Sequence, residues 1–211
     1  MGHEMPDASA QRLPHEPPDW LARQTREQQA AAPYCGLGFE RGALPAELIG
    51  ILQDKLRAGA GLFRPEEKIR EIDTEDPGFL PALCYEDHSF NAALADTLRP
   101  LHEAWSGREL VESACYGFRA YQRGSYLHNH VDRGMTHIIS STICVDARLE
   151  EPWPLFIEDI YGEGHEVNLE PGEFIYYEGA RLIHGRPWPL VGDYYVGMFV
   201  HYRPVGSGQQ P

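Results

Sequence analysis

The sequence predicts a mostly β protein, a sandwich or jelly roll with supporting N-terminal α-helices. After about Leu110, apolar and aromatic runs of strand length alternate with Gly and Pro. Before that point, two segments repeat their apolar residues at helical spacing. With 211 residues, 42% of them hydrophobic, the chain suits one domain with a sizeable core.

Residues 1–40 read as a flexible N-terminal tail or surface strap, rich in Pro, Glu, Gln and Ala, with a short helix around Trp20 to Gln29. Residues 41–110 read as a helical support region. In "LPAELIGILQDKLR", Pro45 suits a first helical turn and Leu48, Ile51, Leu52 and Leu56 form the apolar face. "RPEEKIREIDTEDPGFLP" is a charged, turn-rich loop of weak strand character. "SFNAALADTLRPLHEAW" predicts a second helix with Ser89 as its cap, Leu94, Leu98, Leu101 and Trp105 as its stripe, and a kink at Pro100. Residues 111–204 hold the strands: "SACYGFRAYQ", "THIISSTICVDA", "PLFIED", "HEVNL", "EFIYYEG", "ARLIHG" and "DYYVGMFVHYR", with "LEPGE" as a turn. Residues 205–211 read as a C-terminal tail. The helices are expected to cover the outer face of one sheet.

The formal net charge of −14 argues against nucleic acid, whose binders displace counterions with Lys and Arg, and against an anionic membrane surface. Cys35, Cys84, Cys115 and Cys144 lie far apart with no CxxC pair, so they read as free thiols in a reducing compartment rather than a zinc site. Neither a secretory leader nor a run of 18 apolar residues is recognised, and the expectation is a soluble, cytoplasmic protein.

The candidate chemistry lies in "YLHNHVDRG", residues 126–134. On a strand, His130 and Asp132 at i, i+2 share a face, and an imidazole beside a carboxylate can bind one metal. His184, ending a later strand, is the best third ligand; two His and one carboxylate leave positions open for substrate and oxygen. A regular strand would also put His128 on that face, so "HNH" reads alternatively as a cupin-like HxH. Against that, the Glu that cupins carry about four residues beyond is absent here until Glu150.

"AYQRGSYLHNHVDR" and "VNLEPGEFIYYEGARLIHGRPWPLVGDYYVGMFVHYRP" resemble the two halves of the prolyl-4-hydroxylase-like Fe(II)/2-oxoglutarate dioxygenases. The resemblance spans about residues 115–204. It implies a double-stranded β-helix with Fe(II) held by His130, Asp132 and His184. The implied cosubstrates are 2-oxoglutarate and O2, and ascorbate is a candidate accessory reductant. It also implies that Tyr121 and Tyr126 line the 2-oxoglutarate pocket. The family usually carries Arg or Lys nine or ten residues after the distal His, where this chain has Asp193 and Tyr194. Arg186 is the nearest replacement, with Arg119, Arg181 and Arg203 behind it. Related halogenases lack a carboxylate at the Asp132 position, so its presence favours hydroxylation. The expected substrate is a peptidyl residue of prolyl type, a free amino acid or a small metabolite, in a pocket shaped by Trp153, Trp188 and the 64–80 loop. A cupin-like metalloprotein and a non-enzymatic jelly-roll binding module are the competing readings.

Overall fold

Alternation of side chains across a strand decides the architecture. In β11 (Gly192–Pro204), Val196, Met198, Val200 and Tyr202 point one way and Tyr195, Phe199 and His201 the other, and nearly all are buried. A strand apolar on both faces must lie in the middle of a sheet covered on both sides. The computed structural model, which describes residues 26–66 and 80–207, has β11 at the centre of a seven-stranded sheet. Its order is β1 (Phe39–Ala43), β9 (Glu173–Tyr177), β6 (Ile139–Leu149), β11, β4 (Leu110–Gln122), β3 (Leu83–Tyr85), β2 (Arg64–Pro65). A second sheet has the order β5 (Leu127–His130), β10 (His184–Arg186), β7 (Leu155–Glu158), β8 (Gly164–Val167). Every pairing is antiparallel. This is the expected jelly roll. The short strands β1 and β3, absent from the sequence expectations, and β2, at the start of the loop expected to have weak strand character, extend the large sheet at both edges.

Two long helices, α1 (Ala46–Ala58) and α2 (His88–Ser106), cover the outer face of the large sheet as expected. Leu52 of α1 and Leu94, Ala95 and Leu98 of α2 pack on Ile139, Ile143, Phe174, Met198 and Val200. Three of the four expected apolar positions in each helix pack on this core, Leu48, Leu52 and Leu56 in α1 and Leu94, Leu98 and Trp105 in α2. In α1, Ile49 joins the core while Ile51 is exposed. In α2, the four-residue steps Leu94, Leu98, His102 face the sheet, leaving Leu101 at the surface. The cap of α2 is Asp87, whose Oδ1 accepts from the Phe90 amide at 3.1 Å and from Ser89 Oγ at 2.7 Å; Ser89 supports the cap rather than forming it. Residues 26–30 are helical, and the rest of the helix expected around Trp20 lies outside the described residues, as does most of the 64–80 loop. All four cysteines are free. Among the described residues, no helix is long and apolar enough to cross a membrane.

The inner face of the large sheet and the small sheet enclose a second core, built from Cys144, Ile157, Ile175, Tyr177 and Tyr195. A cavity of about 780 Å³ opens between the two sheets.

Candidate metal centre and cosubstrate pocket

The small sheet brings the two distant histidines together. His130 and His184 are direct cross-strand partners, with ring centroids 4.5 Å apart. Next to this pair the register shifts: β5 places His128 and Asn129 between Leu127 and His130, where β10 places Gly185 alone between His184 and Arg186. This is a β-bulge, an extra residue that re-aims side chains. Leu127 and His130 both line the cavity as a result, whereas His128 does not. The single residue opposite the bulge has to be glycine, since a Cβ on Gly185 would lie 2.6 Å from Asn129 Oδ1 and 2.7 Å from the His128 carbonyl.

His130 Nδ1 donates to the His128 carbonyl at 2.8 Å, and His184 Nδ1 donates to the Leu182 carbonyl at 2.8 Å. Carbonyl oxygens only accept, so both protons sit on Nδ1 and both Nε2 lone pairs are left for a ligand. These atoms lie 3.8 Å (His130) and 3.7 Å (His184) from Asp132 Oδ1. One ligand atom from each of the three residues falls within 4.8 Å of the others. The expectation that Asp132 shares a strand with His130 does not hold. β5 ends at His130, and Asp132 is set instead by its amide donating to the Gly179 carbonyl at 2.8 Å.

Asp132 Oδ2 faces away from the histidines, toward a row of side chains across the large sheet. Ser140 pairs with Tyr177 on one side and His201 on the other. Ser140 Oγ donates to Asp132 Oδ2 at 3.3 Å and accepts from His201 Nδ1 at 2.8 Å. His201 stacks on His137 at 3.9 Å between centroids, and His137 Nε2 meets the Tyr116 hydroxyl at 3.0 Å. The sequence reading gave His137 and His201 no special weight.

Burial and the neighbouring His184 push the His130 imidazole down to about 4, so it is neutral at pH 7. Burial acts to raise the Asp132 carboxyl, but His184, His201, His137 and His130 around it outweigh that and hold it below the usual carboxylate range. A neutral His130 and an ionised Asp132 are the states a divalent metal requires of these two ligands. The donor set therefore fits an iron of the two-His, one-carboxylate type.

Arg186 follows His184 on β10 and lines the cavity. It is 3% exposed. Its guanidinium lies over the rings of Trp153 (4.6 Å) and Tyr195 (4.3 Å), donates to the Trp153 carbonyl, and donates to the Tyr195 hydroxyl at 2.9 Å. Trp153 thus backs Arg186 rather than shaping a substrate pocket, and the Trp188 carbonyl accepts from Trp153 Nε1 at 2.7 Å. Asp193 is no obstacle to an anion in the cavity. It bulges outward from β11 at the register shift and pairs at the surface with Arg148 at 2.6 Å. Tyr195, two residues on, takes the inward position. Tyr121 lines the cavity, its ring 5.2 Å from Trp153. Tyr126 is not brought there: it precedes the bulge, and its ring meets His128 edge-on at 5.1 Å. Of the other arginines considered, Arg119 lines the cavity, whereas Arg181 donates to the Ala31 carbonyl and Arg203 to the Ser207 carbonyl, both at 2.8 Å.

The fold is that of the iron and 2-oxoglutarate oxygenases related to prolyl hydroxylases, as comparison with solved structures shows. A prolyl-4-hydroxylase from Pseudomonas putida matches with a TM-score of 0.58 and 17% identity, over 88% of this chain and 100% of that one. HygX from Streptomyces hygroscopicus, solved with nickel, 2-oxoglutarate and hygromycin B, matches with a TM-score of 0.57 and 15% identity, over 81% and 84%. SnoN, a non-heme α-ketoglutarate-dependent epimerase of nogalamycin biosynthesis, matches with a TM-score of 0.60 and 13% identity, over 89% and 87%. No family model matches the sequence, and no curated protein does.

Proposed function

We propose that this chain is an Fe(II)- and 2-oxoglutarate-dependent oxygenase acting as a hydroxylase on an unactivated C–H bond. The observation that carries the reading is the convergence of His130 Nε2, His184 Nε2 and Asp132 Oδ1 at a cavity into which the same strand, β10, brings a buried arginine. His130, Asp132 and His184 would hold the iron, which would supply oxygen activation for coupling oxidative decarboxylation of 2-oxoglutarate, to succinate and CO2, with oxidation of the substrate.

The chain's own residues supply position. Residues i and i+2 on a strand are about 7 Å apart and share a face, so Arg186 reaches the far carboxylate of a short dicarboxylate whose other end meets the metal beside His184. Tyr195 fixes the guanidinium, and Tyr121 closes the same end of the pocket. The carboxylate at Asp132 fills the position that halogenases leave to a halide, which favours hydroxylation. The bulge that removes His128 from the cavity weighs against the cupin alternative. The four free cysteines suit a reducing, cytoplasmic compartment, and the core assigned to catalysis is residues 111–204.

The test is succinate release by the purified full chain with Fe(II), 2-oxoglutarate and air. Asp132→Ala should abolish it, and His128→Ala should retain it. Arg186→Gln should raise the KM for 2-oxoglutarate more than about tenfold, since a buried charge-assisted pair is worth at least that. Turnover without 2-oxoglutarate would instead favour the cupin reading. Failure to bind metal at micromolar levels would leave a binding module.

A further inference from the structure

The cavity has a second arginine, largely but not fully buried, that the proposed reaction does not use. Arg119 stands on β4, across from the sheet that carries His130, His184 and Arg186. Its guanidinium carbon lies 5.4 Å from the ring centre of Tyr116 and 5.4 Å from that of Phe199, so its position is fixed. It pairs with Glu66, the two side chains being 13% and 21% exposed. The Glu66 amide donates to the Ala82 carbonyl at 2.8 Å, which holds this acid at the rim beside β3.

A buried ion pair is a poor way to stabilise a fold, because desolvation offsets the attraction. One lining a cavity has another use: each partner can be exchanged for a ligand group of the same charge. We infer that the substrate is a small zwitterion of the free α-amino acid class, its carboxylate taken by Arg119 and its ammonium by Glu66. This deepens the oxygenase reading and rests on it.

Charge decides between the substrate classes. A simple organic acid that displaced Glu66 from Arg119 would leave a mostly buried carboxylate without its cation, a costly state. A neutral peptide segment could not compete with either partner. An α-amino acid replaces one ion pair by two and leaves the site's charge unchanged. A zwitterion is also not repelled by a protein of net charge −14. The cavity of about 780 Å³ lies within the range of small-molecule sites.

The experiment titrates the twenty common L-amino acids, one at a time, into the full chain loaded with Zn(II) and 2-oxoglutarate. Heat is the readout, and amino-acid-stimulated succinate release with Fe(II) is the second. At least one amino acid should bind. Its α-amide and its N-acetyl derivative should each bind more than about tenfold weaker, the loss expected for one charge-assisted bond. Glu66→Gln and Arg119→Gln should weaken the amino acid by the same factor. Neither should move the Kd for 2-oxoglutarate more than about twofold, which Arg186→Gln should move strongly. Glu66 lies at the rim, so its variant keeps the test alive if Arg119→Gln does not fold. A chain that binds Zn(II) and 2-oxoglutarate but no amino acid overturns this inference and leaves the oxygenase reading standing. So does an Arg119→Gln variant that loses 2-oxoglutarate, since Arg119 would then be the cosubstrate's cation. A chain that binds neither Zn(II) nor 2-oxoglutarate overturns the oxygenase reading itself.

Discussion

Asp132 is the residue whose setting explains most of the candidate centre. One oxygen faces the two histidines; the other is enclosed by Ser140, Tyr177 and the backbone at Gly179. A Cβ on Gly179 would sit 2.2 Å from Asp132 Oδ2 and 2.5 Å from Ser140 Oγ, so glycine is required there for close approach rather than for backbone freedom. Groups that hold a ligand's outer atom typically change metal affinity by ten- to a hundredfold. Ser140→Ala should therefore weaken Co(II) binding by about tenfold or more. Gly179→Ala, which pushes the carboxylate itself, should weaken it further. Competition against a chelator measures both, and an unchanged affinity in Ser140→Ala would show that this hydrogen bond does not hold the carboxylate. Little of this cage was legible in the sequence. His130 and Asp132 are neighbours in the chain and carry a local signature. Tyr177, Ser140 and His201 form a row only through the register of three strands, and a single sequence does not give that register.

At the scale of elements, the central strands were legible and the helix faces only partly so. β6, β9 and β11 are mostly buried, and β4, half-buried along most of its length, is long and rich in aromatic and apolar residues. β1 and β2 are short edge strands with charged residues, and β3 beside β2 is only three residues long, so pairing rather than local preference sets all three. In α2, Leu101 is the more apolar choice, yet His102 takes the buried position because it continues the four-residue step from Leu94 and Leu98. His102 packs on Tyr202, Tyr176 and Phe174, with Nδ1 donating to the Leu98 carbonyl at 2.9 Å. Burial pushes its imidazole down to about 4. The folded value lies below the unfolded one, so the unfolded chain takes up a proton first as pH falls. The contribution of His102 is complete above about pH 6.5 and is lost as pH falls toward 4, a difference of roughly 3 kcal/mol. His102→Leu should flatten the fall of urea stability across that window. An unchanged slope would assign the acid sensitivity to the histidines around Asp132.

Across the whole molecule, the segment before β1 ties the two ends of the candidate centre together. Gln28 Nε2 donates to the Gly134 carbonyl at 3.2 Å, just past Asp132. The Tyr34 amide donates to Glu178 Oε1 at 2.8 Å, and the Glu178 amide donates to the Gly38 carbonyl at 2.9 Å. Glu178 in turn pairs with Arg181 at 2.7 Å, with the two side chains 2% and 9% exposed. The turn fixed in this way supplies the Gly179 carbonyl that sets Asp132, and six residues after Glu178 the chain reaches His184. The strap thus acts on two of the three metal-facing residues through one turn. Glu178→Gln keeps an acceptor for Tyr34 but leaves Arg181 as an unpaired buried cation, which costs about 3 kcal/mol or more and should lower Tm by roughly 10 °C. Because the strap bears on this turn and not on α2, amide exchange should accelerate over residues 178–184 while the α2 amides keep their protection relative to the new global stability. Metal affinity should fall in step with the local exchange. If exchange instead rose uniformly, the strap would be a general brace with no particular hold on the centre.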